Sequence, residues 1–320
     1  MDIYLDYEFL ENFLLLDDDS EVFFRLKSLI RDPKNKNNLI LNFDHLEYYN
    51  DPEKQIIVRH LAQNLDVKIE INCLTQKVEK IASNSNPSSI FLSELIEADI
   101  ENYGYLNSKS NDFQKLGKIL IFDNIPITNK FNNWNFLQTY KVPCNAMVIS
   151  DNYLFTNDFG YENLKSILKN LLPETLKVTF DLSIIGYDKT NIQFNIKNEY
   201  NEIKKFLEFN FSYPINLSII QVYNHKRSIY SNLARFNTDK GFSLFRNSKI
   251  EDRNETTLEY CPNGSKTLSD SPMTSFKFEI EKIRKKTETL SQNKPANFNK
   301  VIGNKNNRLF NIQKNRSITT

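Results

Sequence analysis

Short stretches in which apolar and polar residues alternate recur along the chain, and they predict β-strands. Residues 67 to 71, with the sequence Val-Lys-Ile-Glu-Ile, alternate strictly, as a strand with one buried face does. Residues 118 to 123 are apolar between their first and last positions, which is typical of a central strand in a parallel sheet. Residues 215 to 222 follow a period close to two and predict a strand buried mostly on one face. The same reasoning predicts strands at 2–6, 39–41, 146–149, 177–185, 228–232 and 301–303.

Other stretches carry apolar residues every three or four positions and predict helices. Between residues 161 and 172, Leu164, Ile167, Leu168 and Leu171 share one face of such a helix, and Pro173 ends it. Further helices are predicted at 20–31, 52–64, 91–100, 199–209 and 276–290. Because strands and helices alternate, the predicted fold class is α/β, with a layered mixed sheet and flanking helices.

The pattern divides into two parts. We expect an N-terminal α/β region over residues 1–140 and a second α/β domain over residues 141–320. The polar stretch 251–272 predicts a long mobile insertion in the second domain. The chain ends in a basic helix and tail: residues 261–320 hold twelve Lys and Arg against four Asp and Glu. This basic end suggests a local contact with a polyanion, or with the acidic remainder of the chain.

Composition narrows the class of protein. The net charge is +1, so total charge predicts no polyanion partner. Cys73, Cys144 and Cys261 lie far apart without a Cys-x-x-Cys pair, which indicates neither a disulfide framework nor a zinc site. The acidic start is unlike a signal peptide, and no apolar run approaches the roughly 20 residues of a membrane span. We therefore expect a cytoplasmic protein without a membrane partner.

The stretch from Pro214 to Arg246 holds the strongest candidate chemistry. Its predicted strand ends just before His225, Lys226 and Arg227, and a strand end is rigid yet open to a ligand. A second strand should follow at 228–232. The hairpin should close near Asp239-Lys240-Gly241, since glycine tolerates a positive φ.

Residues 142 to 245 resemble the phospholipase D superfamily. That family places His-x-Lys, and then an Asp after four further residues, at the end of a core strand. Here His225 matches, Arg227 stands where the family has Lys, and Asn232 stands where it has Asp. The resemblance implies a phospholipase D-like C-terminal domain in which His225 would be the nucleophile toward phosphorus. Lys226, Arg227 and Asn232 would bind the phosphate.

The departures from the motif leave three interpretations of His225 open. Asn232 cannot supply the negative charge that orients a histidine, and neither His45 nor His60 begins a second His-x-Lys. The chain is thus closer to degenerate phospholipase D-like domains that lack the full motif. His225 is then a structural strand-end histidine, a phosphate-binding group without chemistry, or a catalytic residue.

Three functions follow from these interpretations. The first is an intracellular microbial protein associated with nucleic acid, with a role in antiviral defence against foreign DNA and no cofactor. The second is a non-catalytic module that binds a protein partner, joins a larger complex or forms a homodimer. The third is a metal-dependent nuclease.

The nuclease alternative rests on acidic residues at predicted strand ends. Asp6, Asp44, Asp123 and Asp151 occupy such positions, and Mg²⁺ or Mn²⁺ prefers carboxylate oxygens. Residues 2–6, followed by a helix, resemble the first strand of PIN-type nucleases. Polar strand ends are also common without any metal. The P-loop and dinucleotide-binding motifs are absent, which argues against P-loop ATP hydrolysis and nicotinamide redox chemistry.

Overall fold

The computed structural model describes residues 1–15, 38–42, 49–62, 66–70, 74–96, 98–110, 115, 120–122, 133–155, 158–187, 195–246, 249–250, 256–263, 272–292 and 300–312. The strands are β1 (Asp2–Asp6), β2 (Asn38–Asn42), β3 (Asp66–Glu70), β4 (Ser89–Leu92), β5 (Leu106–Asn107), β6 (Leu120–Phe122), β7 (Ala146–Ser150), β8 (Phe180–Gly186), β9 (Ile215–Gln221), β10 (Arg227–Ser231), β11 (Ala234–Thr238), β12 (Phe245–Arg246), β13 (Lys249–Ile250), β14 (Leu258–Pro262) and β15 (Val301–Gly303). The α-helices are α1 (Tyr7–Leu14), α2 (Pro52–Ala62), α3 (Val78–Asn84), α4 (Asp158–Leu171), α5 (Ile196–Asn210) and α6 (Pro272–Leu290), and 3₁₀ helices cover Ala98–Tyr103, Trp134–Tyr140 and Arg308–Asn311.

The first sheet is parallel and has the strand order β3-β2-β1-β4-β5. Its central strand β1 carries Ile3 and Leu5, which are fully buried. The strand order reverses between β1 and β4, so the chain leaves these two neighbouring strands in opposite directions. Their carboxyl ends form the point of an open α/β sheet where ligands commonly bind.

The second sheet is mixed and has the order β15-β9-β8-β7-β10-β11-β14-β6. Strands β7, β8 and β9 are parallel to one another, and the remaining pairs are antiparallel. Every residue of β7 and β8 is buried, because this parallel core is covered by apolar side chains on both faces. Full burial of a leucine or isoleucine contributes about 1.5–3 kcal/mol. The carboxyl ends of β7, β8 and β9 meet at one edge, which we call the carboxyl edge.

The α/β class with mixed sheets and flanking helices is confirmed. The division between the sheets falls between β5 and β6, because β6 pairs with β14 of the second sheet. The second sheet therefore takes a strand from before residue 140, where the sequence placed the boundary. None of the helices in the described part of the chain is both long and apolar enough to cross a bilayer.

Two predicted elements differ in type or position. Residues 91–100 were expected to form a helix, but β4 ends at Leu92 and a 3₁₀ helix begins at Ala98. A short apolar run fits either period, so pairing with β1 decided the outcome. Residues 118–123 were expected to form a central parallel strand. The strand found there, β6, is instead an edge strand of the second sheet and is antiparallel to β14.

The hairpin and the insertion also differ from expectation. Strands β10 and β11 are joined at Asn232-Leu233, and not near residues 239–241. Within 251–272, residues 258–262 form β14, in which Leu258 and Tyr260 are buried. This short strand was not predicted because polar residues lie on both sides of it in the sequence. Residues 251–255 and 264–271 lie outside the described part, as do the predicted helix at 20–31 and Asp44.

Candidate functional site

The junction between β9 and β10 is held at the carboxyl edge by paired amide groups. The Asn224 main-chain N–H donates to Asn152 Oδ1 over 3.1 Å, and Asn152 Nδ2 donates to the Asn224 carbonyl over 2.8 Å. Asn224 Nδ2 also donates to Ser150 Oγ over 2.8 Å. Asn224 is buried while its neighbours Tyr223 and His225 are exposed. The fixed backbone therefore presents these two side chains to solvent.

His225 lies on the surface beside a tyrosine. Its Nδ1 is 3.2 Å from the Tyr223 hydroxyl, and the two ring centroids are 4.6 Å apart at 81°. The ring of Tyr187, which directly follows β8, lies 5.6 Å from that of Tyr223. Among the described residues, the hydrogen-bond partner of His225 is thus a phenol and not a carboxylate. Within the described ranges, the imidazole has no charged partner of the kind that would polarise a nucleophilic histidine.

Lys226 reaches across to α6. Its Nζ lies 3.1 Å from Glu279 Oε1, with 53% of the lysine side chain exposed and 7% of the glutamate side chain. An ion pair with so exposed a lysine contributes little to stability. The ammonium group is therefore accessible to a second anion.

Arg227 is tied to the loop that follows β11. Its Nη1 donates a hydrogen bond to the Asp239 carbonyl, and its guanidinium lies 5.2 Å above the Tyr153 ring. The side chain is half-buried. The Arg227 guanidinium thus interacts with the loop, with an aromatic face and with the nearby carboxylate of Asp151.

Asp151 clamps the same loop from beneath. It is 1% exposed, its Oδ2 accepts from the Phe242 N–H over 2.6 Å, and its Oδ1 accepts from the Tyr153 N–H over 3.0 Å. Burial raises the pKa of this carboxyl, and the two hydrogen bonds and Arg227 oppose that rise. Gly241 has a φ of +106°, and a Cβ there would stand 2.8 Å from Asp151 Oδ2. Glycine lets the loop close over the carboxylate.

Helix α6 adds cations that the sequence analysis did not assign to this site. Lys286 Nζ donates to the Tyr223 carbonyl over 3.1 Å and lies 3.4 Å from Asn224 Oδ1. Burial lowers the pKa of Lys286, and the nearby charge of Lys282 lowers it further. The basic face of the predicted helix was visible in the sequence, but its position beside the junction between β9 and β10 was not.

Asn232 lies at the other end of β10 from His225. Its Oδ1 accepts from the main-chain N–H groups of Asn145 and Ala146, and its Nδ2 donates to the Pro87 carbonyl and to Asn145 Oδ1. The residue is fully buried. Its amide connects the two sheets and does not meet the other candidate residues.

The acidic candidates do not gather at one place. Asp6 ends β1 in the first sheet, is 2% exposed, and accepts hydrogen bonds from the main-chain N–H groups of Phe9, Glu94 and Leu95 and from the Ser93 hydroxyl. Asp151 belongs to the second sheet, and Asp123 lies outside the described residues. No group of three or more His, Cys, Asp or Glu side chains within the described ranges could hold a metal ion.

The comparisons with known proteins are sparse. No protein-family model matches the chain, and no curated protein matches it. Among solved structures, the chain is similar to TrmBL2, an archaeal chromatin protein whose structure shows a novel mode of DNA binding. The match has 10% identity, a TM-score of 0.28, and covers 54% of this chain and 53% of that one, or about half its length. A TM-score this low does not establish a shared fold, and DNA binding is a property of TrmBL2.

Proposed function

We propose that this chain associates with nucleic acid by binding phosphate groups at the carboxyl edge of the second sheet, without cleaving them. The observation that carries the proposal is that His225 and Lys226 emerge together from a rigid strand end and are both exposed. Such a position is open to a ligand and needs no rearrangement to receive one.

The charges around this position favour an anion. Lys226, Arg227, Lys282 and Lys286 are grouped there, against the carboxylates of Asp151, Glu279 and the exposed Asp239. Asp151 is almost fully buried and both its oxygens accept main-chain hydrogen bonds, so its carboxylate is not presented to a ligand. Lys226 and Lys282 are exposed there, and their ammonium groups suit phosphate oxygens.

The same geometry favours binding over phosphoryl transfer. A nucleophilic histidine needs an oriented partner that supports positive charge on the ring. The partner seen at His225 is the Tyr223 phenol, and Asn232 is used elsewhere. A metal-dependent reaction finds no support in Asp6 or Asp151, whose oxygens already accept hydrogen bonds within the protein. A phospholipase D-like origin of the domain and a role in defence against foreign DNA stay predictions.

The test is a titration of nucleic acid with a matched pair of lysine variants. Lys226→Gln removes a cation from the site, and Lys204→Gln removes an equally exposed one from α5, where Lys204 pairs with Glu208 at 3.7 Å. We expect Lys226→Gln to weaken binding and to reduce the slope of log affinity against log salt by about 1, because one fewer phosphate is neutralised. Lys204→Gln should behave like the unaltered protein.

Absence of binding at low salt would overturn the proposal, as would equal behaviour of the two lysine variants. In the first case the non-catalytic interaction module becomes the better interpretation, and a stable protein complex recovered from the native cell would support it. Cleavage of the nucleic acid by the unaltered protein, lost in His225→Ala, would instead show that the site is catalytic.

A further inference from the structure

We infer that the carboxyl edge takes nucleic acid in its single-stranded form, with bases packed against tyrosine rings and phosphates held by the neighbouring lysines. This inference rests on the proposed function and adds the strand state of the ligand. The feature that points to it is a set of tyrosines placed among the cations.

One tyrosine follows each of the three parallel strands. Tyr153 comes three residues after β7, Tyr187 directly follows β8, and Tyr223 comes two residues after β9. Because β7, β8 and β9 are neighbours in the sheet, the three tyrosines lie along the same edge. Tyr187 and Tyr223 are in ring contact, with centroids 5.6 Å apart.

Two of these rings are exposed, and Tyr187 is half-buried. Tyr153 is 46% exposed and Tyr223 is 47% exposed. An exposed tyrosine standing alone needs no explanation, but several at one edge mark a surface that packs against something. The Tyr153 ring lies beneath Arg227, and the Tyr223 carbonyl accepts from Lys286, so rings and cations share one surface.

A mixture of rings and cations matches a single strand better than a duplex. A duplex keeps its base faces stacked inside, so a tyrosine ring has no base to stack on, and its phosphates could be bound by the lysines without any tyrosine. A single strand exposes both bases and phosphates, and each base stacked on an aromatic ring contributes substantially to affinity. The tyrosines gain a role only if the bases are accessible.

The surface is also organised before any ligand arrives. The reciprocal bonds between Asn152 and Asn224 fix the backbone beside Tyr223, and Lys286 holds its carbonyl. Tyr223 is further held by its contacts with His225 and Tyr187. Groups that are already ordered lose little entropy when a ligand binds, so more of the stacking energy appears as affinity.

The experiment compares strand states and ring variants in fluorescence anisotropy titrations of the full chain. The probes are a labelled DNA strand of about 20 nucleotides, long enough to cover a binding site, and the same strand annealed to its complement. The variants are Tyr223→Ala, which removes the ring, and Tyr223→Phe, which keeps the ring and removes only the hydroxyl. Phe209→Ala is the control, because Phe209 lies on α5 and is 90% exposed.

We expect the unaltered protein to bind the single strand more tightly than the duplex. Tyr223→Ala should lose about tenfold in affinity for the single strand and nothing for the duplex, while Tyr223→Phe and Phe209→Ala should keep the original affinity. Far-ultraviolet circular dichroism and a thermal midpoint would confirm that each variant is folded. Tyr187→Ala provides a second ring deletion and should show the same selective loss.

The inference and the proposed function fail in different ways. Equal or tighter binding of the duplex, or equal weakening of both forms by Tyr223→Ala, would overturn the single-strand inference while leaving phosphate binding at Lys226 intact. Failure to bind either probe at low salt would overturn the proposed function itself.

Discussion

The side-chain amide of Asn232 donates a 2.6 Å hydrogen bond to the main-chain carbonyl of Pro87, 145 residues earlier in the chain. The same amide receives the N–H groups of Asn145 and Ala146 at 3.1 and 3.0 Å. Ser88 Oγ in turn donates to the Asn232 carbonyl over 2.6 Å. One asparagine thus joins the turn before β4 of the first sheet to β7 and β10 of the second.

Replacing Asn232 by aspartate tests this role directly. The change introduces the residue that the phospholipase D motif has at this position, but it exchanges a buried donor for a second acceptor facing the Pro87 carbonyl. We expect Asn232→Asp to lower the free energy of unfolding by about 3 kcal/mol or more and to produce no phosphodiesterase activity. Urea denaturation and a chromogenic phosphodiester assay measure the two outcomes.

The exposed Asn198 of α5 offers the control, because Asn198→Asp should change stability by less than about 0.5 kcal/mol. A stable Asn232→Asp protein would show that the amide is not needed where the two sheets meet. New hydrolysis of the phosphodiester would show that the position belongs to a catalytic site.

The buried carboxyl of Asp151 makes a pH dependence of stability expected. Burial raises its pKa in the folded protein above the value of about 4 in the unfolded chain. Between those two values the folded state holds the proton more firmly, so this group's contribution to stability is present at low pH and is lost as pH rises. Relative to Asp151→Asn, which does not titrate, the unaltered protein should lose stability as pH increases through that window.

Urea denaturation of both proteins at a series of pH values measures this difference. If the difference in free energy of unfolding between the two proteins stays constant with pH, the carboxyl has the same pKa in the folded and unfolded states. If the unaltered protein instead gains stability relative to Asp151→Asn as pH rises, Arg227 and the two main-chain hydrogen bonds outweigh burial.

Removing the hydroxyl of Tyr161 and removing that of Tyr213 should have opposite effects on stability. The Tyr161 hydroxyl is buried and has no hydrogen-bond partner among the described residues, whereas Tyr213 donates to the Pro173 carbonyl over 2.8 Å. Tyr161→Phe should therefore be neutral or stabilising by up to about 1 kcal/mol. Tyr213→Phe should be destabilising by about 1 kcal/mol. Thermal or urea denaturation of the pair measures the contrast, and a clear loss of stability in Tyr161→Phe would reveal a partner for its hydroxyl.

The thiols of Cys144 and Cys261 should be unreactive in the folded protein. They are 2% and 0% exposed, and burial raises the pKa of Cys144 to about 12. In a Cys73→Ser background, a thiol reagent such as dithionitrobenzoate at pH 8 should react only as fast as the protein opens. Reaction within seconds without denaturant would contradict the packing around these residues.

Much of the local structure could be predicted because it depends on neighbours in sequence. The alternation at 67–71 and the helical period at 161–172 correctly predicted β3 and α4. An element with one buried face carries apolar residues at the period of a strand or a helix. Residues 91–100 and 118–123 were misplaced because a short apolar run does not reveal its pairing partner. Those partners, β1 and β14, lie far away in sequence.

The candidate site shows the same division. The sequence predicted that His225 and Lys226 follow a buried strand, because the apolar period stops before them. That Tyr187 and Lys286 would stand beside them was not, since sheet order and helix docking brought them there. Asn232 is close to His225 in sequence, yet the five residues of β10 separate them by about 15 Å or more.

The periodicity of the chain was enough to predict many of the strands and helices, the α/β class, and the cationic strand end at residues 225–227. Which side chains meet there, and which are hydrogen-bonded within the protein as Asn232, Asp6 and Asp151 are, became clear from the folded chain. Burial periodicity is a local property of the chain and can be read from it. Hydrogen-bond and charge partners are set by contacts between segments that the sequence does not place side by side.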